Sequence, residues 1–382
     1  MPVSEAPSPV PADVLRSAVR SALGDPHAVP GPWEAVPLTR GASGRRCHLL
    51  RGVAGPAPPG GSAGRPWSLV LKEYPVPAGP DDPAGAPYAR REPLLYASGL
   101  LERLGRDVAA PACHGRDEPS PGVVRLWLEC FAEGDGGRWA PADWAAVARS
   151  LGRWHGGYAA GRPAPEAPWL RRGRLRTILD GQGTLVRRIA AARALPEVRG
   201  WWPAAVVDAL ERLWRERGAF CDALDRLPHT FAHGDAIRRN LFALRGPCGS
   251  PRTGAIDWEH AGHYALGEEV GQTLSVAAVF FDADPEDLAE IDAALFHGYL
   301  AGLADAGWRG DPRPVRLGYA AHAALRNAFN AVGATVADEA GRASALLRYG
   351  HSWEELAERR AAVRPYLLRL AQEARDLADG TP

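Results

Sequence analysis

The chain has 382 residues, 46% of them hydrophobic, with 45 Lys and Arg balanced by 45 Asp and Glu. That length supports one large or two modest cores, and a formal charge of zero excludes a global electrostatic drive toward nucleic acid or an anionic membrane. Met1 to Asp13 shows no signal-peptide pattern, no apolar run approaches the roughly 20 residues that span a bilayer, and five scattered cysteines without a CxxC pair suggest neither disulfides nor zinc, so a cytoplasmic protein is expected.

Along the chain, Val14 to Leu23 reads as an amphipathic helix stopped by Gly24-Asp25-Pro26. Trp33 to Leu38, Cys47 to Val53 and Trp67 to Tyr74 are short strand-like runs punctuated by Gly and Pro. The Gly- and Pro-rich stretches Gly52 to Pro66 and Pro75 to Pro87 read as loops. Tyr88 to Leu104 is predicted as a helix with apolar residues at Leu94, Leu95, Leu100, Leu101 and Leu104. Val123 to Phe131 is a further strand, followed by a glycine-rich connector at Ala132 to Gly137. Beyond it the chain is mainly helical, with helices predicted at Pro141 to Tyr158, Leu175 to Ala194, Pro203 to Leu224, Gly267 to Phe280, Pro285 to Ala304, Pro312 to Val332 and Trp353 to Asp379. Only Thr230 to Ala232, Leu241 to Leu244 and Thr253 to Ile256 read as strands there.

One compositional oddity bears on function. Of the 45 basic residues a single one, Lys72, is lysine. It closes the strand Leu69-Val70-Leu71-Lys72, and a helix with Glu92 near its start follows it. Further on comes His233-Gly234-Asp235-Ala236-Ile237-Arg238-Arg239-Asn240, an H-G-D-x4-N pattern, and then Ile256-Asp257-Trp258-Glu259 at the end of an apolar strand.

The order of these elements, with Lys72, Glu92, H-G-D-x4-N and I-D-W-E, resembles the aminoglycoside phosphotransferase and choline kinase family over roughly residues 33 to 330. The resemblance implies an α+β, bilobal protein-kinase-like fold. Residues 1–30 would form an N-terminal extension with a short helix, 31–131 a small β-rich N-lobe, and 132–382 a larger, mainly helical C-lobe. It also implies Mg²⁺-assisted transfer of a phosphoryl group from ATP, or GTP, to a hydroxyl of a small molecule. In such chemistry the transition state gains most from positive charge around the phosphates and from positioning of the hydroxyl.

On that reading Lys72, held by Glu92, reaches the α- and β-phosphates, a slot that the longer, forked arginine does not fit. Asn240 and Asp257 supply the oxygen ligands that Mg²⁺ prefers. Asp235 accepts a hydrogen bond from the substrate hydroxyl and takes its proton late, because a carboxylate near pKa 3.9 is a weak base. His233 braces the loop, and Arg238 or Arg239 is placed to reach the γ-phosphate. Thr39 to Gly44 would overlie the phosphates through backbone N–H groups and the Ser43 hydroxyl. Glu129 and Phe131, in the connector, would meet the purine. Gly267-Glu268-Glu269-Val270 stands where the family usually carries Asp-Leu, so Glu269 and Val270 depart from the pattern at a loop anchor.

The acceptor is left open. Glu259, Glu268, Glu269, Asp282 and Asp284 would attract a cationic aminoglycoside. Trp154, Trp201, Trp202 and Trp258 would instead wall a choline-like amine or a macrolide, although most tryptophans serve as core, and a sugar or other metabolite is an equal alternative. The partners expected are therefore a nucleotide and a small hydroxylated substrate, with no nucleic acid or membrane, in a monomer or homodimer. A non-catalytic nucleotide-binding module is the competing class, opposed by the complete Lys/Glu/Asp/Asn/Asp set. A protein kinase is opposed by the helices ahead of the catalytic loop and by the absence of an A-P-E-like segment.

Overall fold

The computed structural model describes residues 7–38, 46–55, 64–76, 82–83, 85, 88–131, 138–192, 199–245, 251–329, 339–343, 345–346 and 350–380. The chain divides into two compact units, Met1–Arg103 with Ala109–Glu133, and Leu104–Val108 with Gly134–Pro382.

The first unit opens with helix α1 (Ala12–Leu23), which ends at Gly24 in the left-handed region. Strands β1 (Val29–Pro37), β2 (Arg46–Gly55) and β3 (Arg65–Pro75) follow, then helix α2 (Arg91–Ala97). After the two-residue strand β4 (Val108–Ala109), which falls at the division between the units, come β5 (Cys113–Ser120) and β6 (Val123–Glu129). The sheet order is β1-β2-β3-β6-β5, antiparallel at each pairing. Alternation along β3 sends Trp67, Leu69 and Leu71 to one face, where they bury against Leu15, Ala18 and Val19 of α1. The opposite face carries Tyr74, Val124, Leu126 and Leu128, with Val70 and Tyr96 of α2 packed on it.

Three local expectations need revision. β2 runs to Gly55 and β3 resumes at Arg65, so both strands extend into the segment read as loop. The helix expected over Tyr88 to Leu104 is only α2 plus a single 3-10 turn at Leu101–Arg103, because Gly99 turns the backbone to φ 66° between them. β5 went unread because Cys-His-Gly-Arg-Asp-Glu-Pro-Ser is a polar edge strand without apolar alternation.

The second unit is helical: α3 (Pro141–Ala159), α4 (Arg174–Ala192), α5 (Ala204–Arg226), α6 (Glu268–Val279), α7 (Leu288–Asp305), α8 (Pro312–Ala328), α9 (Glu339–Ala343) and α10 (Trp353–Asp379). Its short strands are β7 (His229–Ala232), β8 (Leu241–Arg245), β9 (Pro251–Ala255) and β10 (Gly262–Ala265), paired antiparallel as β7 with β10 and β8 with β9. α3 and α7 touch along glycines: a Cβ on Gly152 would fall 2.3 Å from the Tyr299 carbonyl oxygen. Every residue of α6 is buried, which makes it the central helix of this unit. Among the described residues no helix is long and apolar enough to cross a membrane.

Candidate active site

In the first unit the period of two along β3 sets Lys72 and Tyr74 on the same face. Lys72 Nζ donates to Glu92 Oε2 at 2.7 Å, and the Tyr74 hydroxyl donates to the same oxygen at 2.6 Å. Glu92 stands in the first turn of α2 with its side chain 1% exposed, whereas Lys72 keeps 13%. The carboxylate is therefore anchored from two sides, and the ammonium retains access to solvent. Burial, then the neighbouring Glu92 charge, pushes the Tyr96 hydroxyl well above its ordinary pKa.

Glu129 is the last residue of β6; its carboxylate accepts from the Ala112 N–H at 3.0 Å, and its own N–H donates to the Ala112 carbonyl at 2.8 Å. Its side chain is thus engaged in closing the strand pair. Phe131 lies two residues beyond, half-buried. Ser43 lies outside the described residues.

In the second unit, β7 delivers the chain to His233 and a tight loop. Gly234 adopts φ 77°, and a Cβ there would lie 2.3 Å from the His260 carbonyl oxygen, so only glycine fits. His233 Nε2 donates to the Ile256 carbonyl at 2.9 Å, while its Nδ1 accepts from the Asp235 N–H at 3.1 Å. Its ring also packs edge-on against Trp258 at 4.5 Å. The imidazole therefore ties the loop to the residue before Asp257.

Asp235 is held on both oxygens. Oδ1 accepts from Arg174 Nη2 at 3.0 Å and from Gln272 Nε2 at 2.8 Å; Oδ2 accepts from Asn240 Nδ2 at 3.1 Å. Arg174 also donates to the Gly234 carbonyl and to Gln272 Oε1. Burial works against the Arg174 charge, yet the adjacent Asp235 carboxylate, together with Tyr264 and Glu259, outweighs it and holds the guanidinium above its ordinary pKa.

The β8–β9 register pairs Leu241 with Ala255, so Asn240 faces Ile256, whose N–H donates to the Asn240 carbonyl at 3.0 Å. One hairpin end thus carries Asn240 and, one residue further, Asp257. Asp257 adopts φ 67°, ψ 61° ahead of the 3-10 turn Trp258–His260. Left-handed backbone at a non-glycine residue costs of order 1–3 kcal/mol and clusters at functional positions. Among the described residues no group of three or more His, Cys, Asp and Glu is arranged for a metal. Two adjacent oxygen donors suit an ion such as Mg²⁺, which keeps waters and phosphate oxygens in its shell. Arg238, by contrast, lies over the Trp139 ring at 4.3 Å, and Arg239 over Phe280 at 5.0 Å.

Sequence reading missed the support beneath the loop. On α6, Glu269 accepts from the Gly234 N–H, Gln272 donates to Asp235, and the Thr273 hydroxyl donates to the Ala236 carbonyl. These are positions i, i+3 and i+4, one face of a helix. Glu269 Oε2 also lies 3.0 Å from His155 Nε2 on α3, whose Nδ1 meets the Tyr299 hydroxyl at 2.9 Å. Burial pushes the Glu269 carboxyl upward, but His155 and the Gly234 N–H prevail and hold it below its ordinary value. Glu269 therefore keeps the loop anchored. The available signal was a polar face on an otherwise apolar helix.

One expectation about the acceptor is corrected, and the reading of most of these tryptophans as core holds. Glu268 and Glu269 are 6% and 4% exposed. Glu268 is occupied by the Ala265 N–H and by His322 Nδ1, so neither residue is free to attract a cation. Trp154, Trp202 and Trp258 are 3%, 3% and 0% exposed; Trp154 packs edge-on against Phe231 and Trp258, and Trp201 against Trp353. Trp154, Trp202 and Trp258 are core, and Trp201 is half-buried.

The chain is similar in structure to an aminoglycoside phosphotransferase from Alicyclobacillus acidocaldarius, with a TM-score of 0.53 and 15% identity over 98% of this chain and 99% of that one. It is likewise similar to a choline kinase from Cryptosporidium parvum, with a TM-score of 0.51 and 12% identity over 90% of each chain. The fold is thus the α+β kinase-like fold of those proteins. No protein-family model and no curated protein sequence matches.

Proposed function

We propose that the chain is a small-molecule kinase of the aminoglycoside phosphotransferase and choline kinase family, transferring the γ-phosphoryl group of ATP or GTP to a substrate hydroxyl. The observation that carries this reading is the Asp235 carboxylate, fixed by Arg174, Gln272 and Asn240 beside a hairpin end that bears Asn240 and Asp257. The shared fold supports it.

The roles follow from the donor types. Lys72, tethered by Glu92, would bind the nucleotide phosphates as a compact charge. Asn240 uses its amide nitrogen toward Asp235, leaving its amide oxygen to pair with the Asp257 carboxylate as ligands for Mg²⁺. The bound ion would neutralise charge on the phosphates. Asp235 would orient the hydroxyl for in-line attack and accept its proton as the new P–O bond forms and the bond to the departing nucleoside diphosphate breaks. His233, Arg174, Gln272 and Glu269 act one step removed, by holding that loop.

The test is a nucleotide-consumption screen with ATP and GTP over aminoglycosides, macrolides, amino alcohols, hydroxy acids and sugars. Acceptor-dependent consumption that disappears in Asp235→Ala is the expected result. Intact nucleotide binding with no acceptor consumed would favour a binding module.

A further inference from the structure

Helix α8 carries an arginine that has no counterion among the described residues. Arg326 sits in the last turn of α8, which packs on α6 and α4. His322 reaches Glu268 at 2.9 Å and Asn327 Nδ2 donates to Ser275 Oγ at 2.6 Å. These contacts bracket Arg326 against the stretch of α6 that carries Gln272, the residue bonded to Asp235. The Arg326 Nε is shut off from solvent without a hydrogen-bond partner, and the residue makes no ion pair with any described residue. Its side chain retains partial exposure. Burial first, and repulsion by Arg174 second, pull its pKa down to about 10 against the attraction of Asp235, so it stays charged at neutral pH.

We propose that Arg326 is an anion-binding residue of the acceptor site, and that the hydroxyl acceptor carries a carboxylate or phosphate group seated on it beside Asp235. This rests on the phosphotransfer reading above. A half-buried guanidinium without a partner is costly, and its planar fork matches the two oxygens of a carboxylate or phosphate. An anion there would also relieve the repulsion between Arg326 and Arg174.

The surrounding charge agrees. Arg174, Arg238 and Arg239 lie on or against the catalytic loop, and the Glu268 and Glu269 carboxylates are already occupied. Two carboxylates oppose it: Glu259, with its side chain 14% exposed and 3.4 Å from His260, whose field also reaches Arg174, and Asp282, which faces Arg239 and Arg238. A polycationic acceptor would set like charge against Arg326 and Arg174.

The experiment uses the full chain, nucleotide-free, with inorganic phosphate, glycerate, glycerol 3-phosphate, glycerol and kanamycin as probes. Thermal stabilisation gives an apparent Kd for each, in the parent, Arg326→Gln and Arg326→Lys. Saturable stabilisation by the anions is expected, weakened about 10-fold or more in Arg326→Gln and partly retained in Arg326→Lys. The glycerate and glycerol 3-phosphate arms distinguish carboxylate from phosphate. Anion binding unchanged in Arg326→Gln, or parent protein that prefers kanamycin or glycerol, would overturn the proposal. Should Arg326→Gln fail to fold, an anion Kd in Arg326→Lys equal to the parent's would also overturn it. Nucleotide consumption, measured separately, tests the phosphotransfer reading: its absence alongside Arg326-dependent anion binding would refute that reading and leave the anion site standing.

Discussion

Replacing Glu269 tests whether α6 holds the catalytic loop in place. Glu269→Ala leaves the buried Gly234 N–H without an acceptor and takes the carboxylate away from His155. Each group stranded in this way costs about 1–3 kcal/mol, so losing both contacts costs about 3–5 kcal/mol in total. At roughly 2 °C per kcal/mol for a unit of this size, the melting temperature should fall by about 6–10 °C. Glu269→Gln keeps an oxygen for Gly234 and should cost about 1–2 kcal/mol. Because Gly234 precedes Asp235, a loop shift near 1 Å should also lower kcat by about 100-fold in the alanine variant.

The pH dependence follows from the depressed Glu269 carboxyl. A carboxyl whose pKa is lower in the folded state stabilises the fold above its unfolded value, about 4.3. That contribution is lost as pH falls through the folded pKa. Parent and Glu269→Gln should therefore differ most in stability above pH 5 and converge in acid. Differential scanning calorimetry from pH 3 to 8, with steady-state kinetics, is the assay. A Glu269→Ala protein melting within about 1 °C of the parent with unchanged kcat would refute the reasoning.

Asp235→Ala should abolish phosphoryl transfer by at least about 100-fold while nucleotide binding persists; retained turnover would remove Asp235 from its role. Lys72→Arg keeps the charge but forces a longer, planar group into the space beside Glu92 and Tyr74, so catalytic efficiency should drop by about 10-fold or more; parent-like kinetics would refute the special use of lysine. Asp257→Ala should weaken Mg²⁺-dependent nucleotide binding, read by calorimetry with and without the ion, and an unchanged Mg²⁺ dependence would count against Asp257 as a ligand.

The legible part of the site was the part that is local in the chain. H-G-D-x4-N and the aspartate after β9 belong to one loop and one hairpin, and the β8–β9 pairing brings Asn240 opposite Ile256. Lys72 and Glu92 stand 20 residues apart, on a strand and the next helix, and a lone lysine drew attention to the pair. The breaks in the reading have equally local causes. Gly99 interrupted an apolar pattern that otherwise resembled one long helix, and the polar β5 lacked the alternation that marks a strand.

What the sequence by itself determined was the loop and hairpin that gather Asp235, Asn240 and Asp257 within a short stretch of chain, and the mixed β-then-helical order of elements. What only the tertiary structure decided was the use of the remaining charges. Arg174 and Gln272 reach Asp235 from 61 and 37 residues away, and His155 meets Glu269 from another helix. Glu268 and Glu269, which composition alone presents as bait for a cation, turn inward, Glu269 to hold the loop and Glu268 to meet the Ala265 N–H and His322, while Arg326 is left without a counterion among the described residues. Periodicity places a residue on a face of its own helix; only the packing of α3, α4, α6 and α8 around one loop settles which opposite charges meet and which is left without a counterion among the described residues.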